Sequence, residues 1–156
     1  MSPRLRDLAN PSTALALSFG LGLIPLAPGT FGAAGAFPLY WSMEGLPWAW
    51  RACAVAMLFL AGCAACGRAE ALLGDKDPKA VVWDETCGML IVLILAPPGW
   101  VWWAAGFVAF RGLDILKPWP ISWAERSLRG GLAIMLDDAL AAAGAAAILR
   151  LAHAFA

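Results

Sequence analysis

Three long stretches of the chain carry no charged side chain: Leu8 to Met43, Ala52 to Gly67, and Thr86 to Phe110. An α-helix needs about 20 apolar residues to cross the hydrocarbon core of a bilayer, somewhat fewer where the bilayer adapts, so these stretches read as membrane-embedded. Turn-forming residues subdivide them. "PLAPGT" (25–30) breaks the first, leaving a short helix over 12–24 and a second from Phe31 to Met43. "EGLP" (44–47) is a turn that places Pro47 at the start of a long helix over 48–73, which Gly74 ends. "DKDPKAV" (75–81) is polar and proline-containing, and predicts a surface loop. "PPGW" (97–100) divides the third stretch into helices over 84–96 and 101–116. A last helix spans 131–154.

Composition agrees with an embedded chain. Of 156 residues, 62% are hydrophobic and 14% charged, with mean hydropathy +0.73; soluble domains carry about 25% charged residues. The expectation is an all-α integral membrane protein, a small polytopic bundle of about five spanning helices in one domain over 1–156. A net charge of zero leaves no basic patch for nucleic acid. Arg4 and Arg6 before the apolar 14–27 stretch imitate a signal peptide, but Pro25 interrupts the stretch and "IPLAPGT" gives a poor small-residue cleavage pattern, so the segment is kept as mature protein.

Positive charges set the expected topology. Arg4 and Arg6; Arg68, Lys76 and Lys79; and Arg111, Lys117, Arg126 and Arg129 form three clusters that the positive-inside rule places in the cytoplasm. Residues 31–73 and 84–116 then become hairpins with 44–47 and 97–100 outside. Trp48, Trp50, Trp100, Trp102 and Trp103 fall at the outer interface, and Trp83, Trp119 and Trp123 at the inner one. Segment 12–24 must be re-entrant or interfacial to keep both ends on one side. Cys53, Cys63, Cys66 and Cys87 sit within or beside apolar runs, where small polarizable side chains pack. His153 is the single histidine, so no His-based metal site or catalysis is on offer.

This topology gathers the carboxylates. Asp84 and Glu85 begin one helix at the cytoplasmic side and Asp114 ends its hairpin partner there. Asp137 and Asp138 lie roughly 10 Å into the last helix at 1.5 Å per residue. Taken singly, Asp84 or Glu85 could be a helix cap, and Asp114 with Lys117 an ordinary helix-end pair. Adjacent acids inside "GGLAIMLDDALAAAGAAAIL" have no cheap structural use, and charge at membrane depth usually serves function. Arg111 and Lys117 are too few to neutralise five carboxylates. The excess suits a hard divalent ion, Mg²⁺ above all, because the donors are oxygens and Mg²⁺ is commonly shared with substrate phosphate. "PGT" (28–30) places Thr30 at a helix start, as an anion-favouring turn or a plain cap. "RGG" (129–131) lets backbone approach a ligand closely, or is a flexible turn. The small residues from Ala139 to Ile148 form a packing face.

"PLAPGTFG" (25–32), "VVWDETCGM" (81–89), "FRGLDILKPWPI" (110–121) and "GGLAIMLDDALA" (130–141) resemble, in the same order, the motifs of the bacterial phosphatidylglycerophosphatase A family. The resemblance implies an Mg²⁺-dependent phosphatase of the bacterial inner membrane. Its active site would face the cytoplasm, with phosphatidylglycerophosphate as phospholipid substrate and membrane lipid around it. By matching position it implies functional roles for Thr30, Asp84, Glu85, Arg111, Asp114, Lys117, Asp137 and Asp138. The five carboxylates would be metal ligands or catalytic groups, Lys117 catalytic and substrate-binding, and Thr30 and Arg111 substrate-binding. A homo-oligomer is compatible with the sequence. Two rivals remain. A transferase acting on a nucleotide-activated lipid would need an Asp-Gly…Gly…Asp-x-x-x-Asp spacing that is absent. A small ion or proton transporter could use Asp137 and Asp138, but would not need Arg111 and Lys117 beside them.

Overall fold

The computed structural model describes residues 3–74 and 78–155. Lys76 and the first half of the expected 75–81 loop lie outside the described residues. Within them all regular structure is helical. The α-helices are α1 (Pro11–Ala16), α2 (Pro28–Ala34), α3 (Ala36–Ser42), α4 (Trp48–Leu73), α5 (Trp83–Leu95), α6 (Trp100–Leu116), α7 (Ile121–Ser127) and α8 (Gly131–Ala154), with 3-10 turns at Leu5–Ala9 and Ser18–Leu23.

Helix α5 is the hub. A helix that is apolar on every side must be covered on every side, and α5 packs against α8, α4, α2, α3 and α6. Trp83, Met89, Leu90, Val92 and Leu93 are buried within it. Against it α8 presents Ala141, Ala142, Ala145 and Ala146, all buried, so the expected small-residue face does bring backbones close. Where α4 crosses the start of α8, glycine meets glycine. The backbone N of Gly131 would lie 3.0 Å from a Cβ built on Gly67, and a Cβ on Gly131 would overlap the Cys63 carbonyl.

Several sequence expectations change here. Among the described residues two helices, α4 and α8, are long and apolar enough to cross a membrane. The count of five spanning helices is not reached, because α5 at 13 residues and α6 at 17 are shorter than the roughly 20 residues a full crossing takes. Segment 12–24 is not one helix: α1 stops at Ala16, and Ser18, Phe19 and Gly20 all take positive φ, turning the chain back on itself. The helix expected over 31–43 starts earlier, at Pro28, and divides at Gly35 into α2 and α3. Helix α7 was not foreseen; seven residues after a proline pair are too few for periodicity to register. Trp83 is not interfacial but buried in the core, its indole N–H donating to the Leu58 carbonyl at 3.2 Å. Trp48, Trp50, Trp100, Trp119 and Trp123 are exposed as a belt requires, whereas Trp102 and Trp103 are half-buried and pack edge-on to His153 and Tyr40. Cys66 and Cys87 are buried as expected, Cys63 is half-buried, and Cys53 is exposed rather than packed.

Candidate active site

The start of α5, the end of α6 and the start of α8 meet at one end of the bundle, and each carries part of a polar cavity of about 260 Å³. Local chemistry holds each piece. The Thr86 hydroxyl sits 2.8 Å from the Gly32 carbonyl of α2 and 2.8 Å from Ser18 Oγ, and Ser18 Oγ also reaches the Val82 carbonyl at 3.2 Å. These bonds tie the first turn of α5, and so Asp84 and Glu85, to the N-terminal segment. Helix α6 ends at Lys117 with φ +43, the left-handed conformation that few non-glycine residues adopt. The stop leaves Lys117 beside α8, where its Nζ lies 2.7 Å from Asp137 Oδ2.

The five predicted carboxylates all line this cavity, as do Arg111 and Lys117. They fall into two groups. Asp114 and Asp137 are matched by cations: Arg111 Nη1 is 2.6 Å from Asp114 Oδ2 and 3.6 Å from Glu85 Oε1, while Lys117 holds Asp137. Asp137 Oδ1 also accepts the Asp138 backbone N–H at 3.1 Å. Asp84, Glu85 and Asp138 form the second group, each offering a carboxylate oxygen, all within 4.8 Å of one another.

Asp84 and Asp138 are 7% and 2% exposed, so their charge is largely removed from water. Asp84 Oδ1, Glu85 Oε2 and Asp138 Oδ2 are buried without a hydrogen-bond partner among the described residues. Each such oxygen forfeits its hydration unless something positive replaces it, at a cost of about 1–3 kcal/mol for a neutral group and more for a charged one. Three carboxylates that converge this closely, each with an unsatisfied buried oxygen, fit a hard divalent cation. The donor set contains oxygen alone, which suits Mg²⁺.

Thr30 is half-buried in α2 and does not line the cavity; its neighbours Ala27, Pro28 and Gly29 do. Gly29 carries no functional group for the sequence to point to, and in "PGT" the Thr30 hydroxyl is the group with visible chemistry. A Cβ there would overlap Glu85 Oε1 and lie 2.9 Å from Arg111 Nη2, so only glycine lets α2 press this close to the carboxylate. Lys79 also lines the cavity. Its signal, a lysine five residues before "DE", served only to orient the chain.

The model of one family, described as phosphatidylglycerophosphatase A, matches residues 14–153. The chain is 42% identical over 155 residues to the Phosphatidylglycerophosphatase A of Escherichia coli, covering 94% of this chain and 90% of that one. It is 42% identical over 138 residues to the protein of the same name from Haemophilus influenzae, covering 87% and 85%. A Bacteroides thetaiotaomicron protein, provisionally named a phosphatidylinositol-3-phosphatase, is 38% identical over 131 residues, covering 79% and 81%. No solved structure matches the chain. These relatives are phosphatases and lend no support to the transporter reading. The chain is a member of the phosphatidylglycerophosphatase A family.

Proposed function

We propose that this chain hydrolyses the terminal phosphate monoester of phosphatidylglycerophosphate in an Mg²⁺-dependent reaction, releasing phosphatidylglycerol and inorganic phosphate. The observation that carries the reading is the juxtaposition, in one cavity of a phosphatase-family chain, of three carboxylates that each keep a buried oxygen unsatisfied with the cations Arg111 and Lys117. Asp84, Glu85 and Asp138 would hold Mg²⁺, which when bound supplies positive charge against phosphate oxygens. Arg111 and Lys117 bind non-bridging oxygens of the monoester, Arg111 through its planar fork. Asp114 and Asp137 aim these two cations. Water forms the new P–O bond as the bond to the glycerol oxygen breaks. The water proton passes to a carboxylate outside the trio, Asp114 or Asp137, and the departing glycerol oxygen takes up a proton from solvent water.

Location follows from charge. Arg68, Lys79, Arg111, Lys117, Arg126 and Arg129 belong to the end of the bundle that holds the cavity, whereas Arg51 and Arg150 belong to the other. By the positive-inside rule the cavity faces the cytoplasm, with the chain multi-pass in the bacterial inner membrane. That placement puts it at the level of phospholipid headgroups.

The direct test is phosphate release by the purified protein from phosphatidylglycerophosphate in neutral detergent, with Mg²⁺ or with EDTA. Release should vanish in EDTA and return with excess Mg²⁺. Persistence in EDTA would remove the metal from the mechanism. No release in either condition, or a faster reaction with phosphatidylinositol 3-phosphate, would overturn the substrate. Gly29→Ala gives a second check, since the added methyl displaces Glu85 and Arg111 without entering the hydrophobic core. Turnover should fall by about 10–100-fold, the scale seen when groups that orient metal ligands are disturbed, with the thermal midpoint little changed.

A further inference from the structure

We propose that Lys79 binds the second phosphate of the substrate, the diester that joins glycerol to the lipid, and so helps distinguish a two-phosphate headgroup from a lone phosphate. The inference rests on the phosphatidylglycerophosphatase reading above and deepens it. Arg111 and Lys117 are the inner cations, with side chains only 15% and 25% exposed and each bonded to a carboxylate. Lys79 lines the same cavity yet is exposed, and among the described residues it has no ion-pair partner. A lysine at a cavity mouth is a mobile point charge on a four-carbon stem, suited to a phosphate that is held but not transformed.

The backbone beneath Lys79 is held in place. The Val81 N–H donates to the Pro78 carbonyl at 2.8 Å, and the Val82 N–H donates to the Ala16 carbonyl at 2.9 Å. The Ala80 carbonyl lies so close to Gly22 that a Cβ there would overlap it. Pro78, Val81 and Val82 are buried while Lys79 points outward between them. Among the described residues the loop therefore presents Lys79 at a fixed edge of the cavity.

The substrate's chemistry matches this layout. Its reacting monoester belongs among the carboxylate trio, Arg111 and Lys117. One glycerol separates that group from the diester, which lies toward the exposed edge of the cavity because the acyl chains that follow it must stay in the bilayer. A cation at the mouth meets the diester and not the monoester.

The test uses Lys79→Gln, Lys79→Arg and, as a control for overall surface charge, Arg129→Gln, assayed in neutral-detergent micelles. Phosphatidylglycerol carries the diester without the monoester; inorganic phosphate carries neither the diester nor the lipid. In Lys79→Gln, the KM for phosphatidylglycerophosphate and the inhibition constant for phosphatidylglycerol should rise together by about three- to ten-fold, the range of a single solvent-accessible ion pair. The kcat and the inhibition constant for inorganic phosphate should stay within twofold, and Lys79→Arg should restore both affinities. A kcat that falls with KM unchanged, a weakened inorganic phosphate, or an equal loss in Arg129→Gln would overturn the assignment. Failure of the parent reading would look different, as wild-type protein that releases no phosphate from phosphatidylglycerophosphate.

Discussion

Asp138→Asn should lower phosphate release by about 10³-fold, the scale of removing a group that acts on transition-state charge, while leaving the fold intact. Asn has nearly the same shape, and Asp138 is only 2% exposed among packed neighbours, so the variant introduces no cavity. What it removes is a charge. Asp138 Oδ2 is one of the three buried oxygens without a partner, and its carboxyl faces those of Asp84 and Glu85. Without metal these groups repel one another, so in EDTA the variant should unfold at the same temperature as wild type or higher. In Mg²⁺ the order should invert. Wild type gains stability by binding an ion that the unfolded chain does not hold, and Asp138→Asn should lose most of that gain. Thermal unfolding with and without Mg²⁺, beside the phosphate assay, separates this from a folding defect. Wild-type turnover, or an undiminished Mg²⁺ shift, would remove Asp138 from the site.

The largest effect on stability should come from Gly131→Ala. Its methyl group would overlap the Cys63 carbonyl of α4 and lie 2.7 Å from the Gly67 nitrogen. Both are backbone atoms of a 26-residue helix, which no rotamer change can move aside. Either α4 and α8 separate or the start of α8 unwinds. Overpacking a well-filled core costs about 1–3 kcal/mol and occasionally more, and here the upper end is expected because backbone meets backbone. Activity should fall as well, since Asp137 and Asp138 sit less than two turns further along α8. Gly112→Ala is the matched control: a Cβ there meets nothing within 4 Å, and alanine is the better helix former by up to about 1 kcal/mol. Denaturation in detergent should show Gly131→Ala markedly less stable and Gly112→Ala equal to wild type or slightly better.

Helices with strong boundary chemistry were legible. Pro47 and Gly74 bound α4, Pro97 to Gly99 separate α5 from α6, and Gly130 precedes α8, each within a residue of the expected place. The misses occur where tertiary contacts outrank local preference. Segment 12–24 reads as one helix, yet Ser18 leaves helical geometry to bond Thr86 and the Val82 carbonyl. Trp83 reads as an interfacial anchor by composition, but Leu58 supplies an acceptor that lets its indole enter the core.

From order and charge alone, the chain of 156 residues commits to a helical, lipid-compatible bundle with five of its carboxylates gathered at one end. That much follows from helical rise, turn residues and the cost of charge in hydrocarbon, all local properties. Which carboxylates act together is not local. Asp114 and Asp137 are spoken for by Arg111 and Lys117, while Asp84, Glu85 and Asp138 converge with oxygens unmet. Only packing makes that division, because it depends on distances of a few ångströms between helices far apart in sequence. The same holds for Gly29, whose importance is the space it leaves for Glu85. Residue types announce a charged site, but the three-dimensional meeting of α2, α5, α6 and α8 assigns each charge its partner.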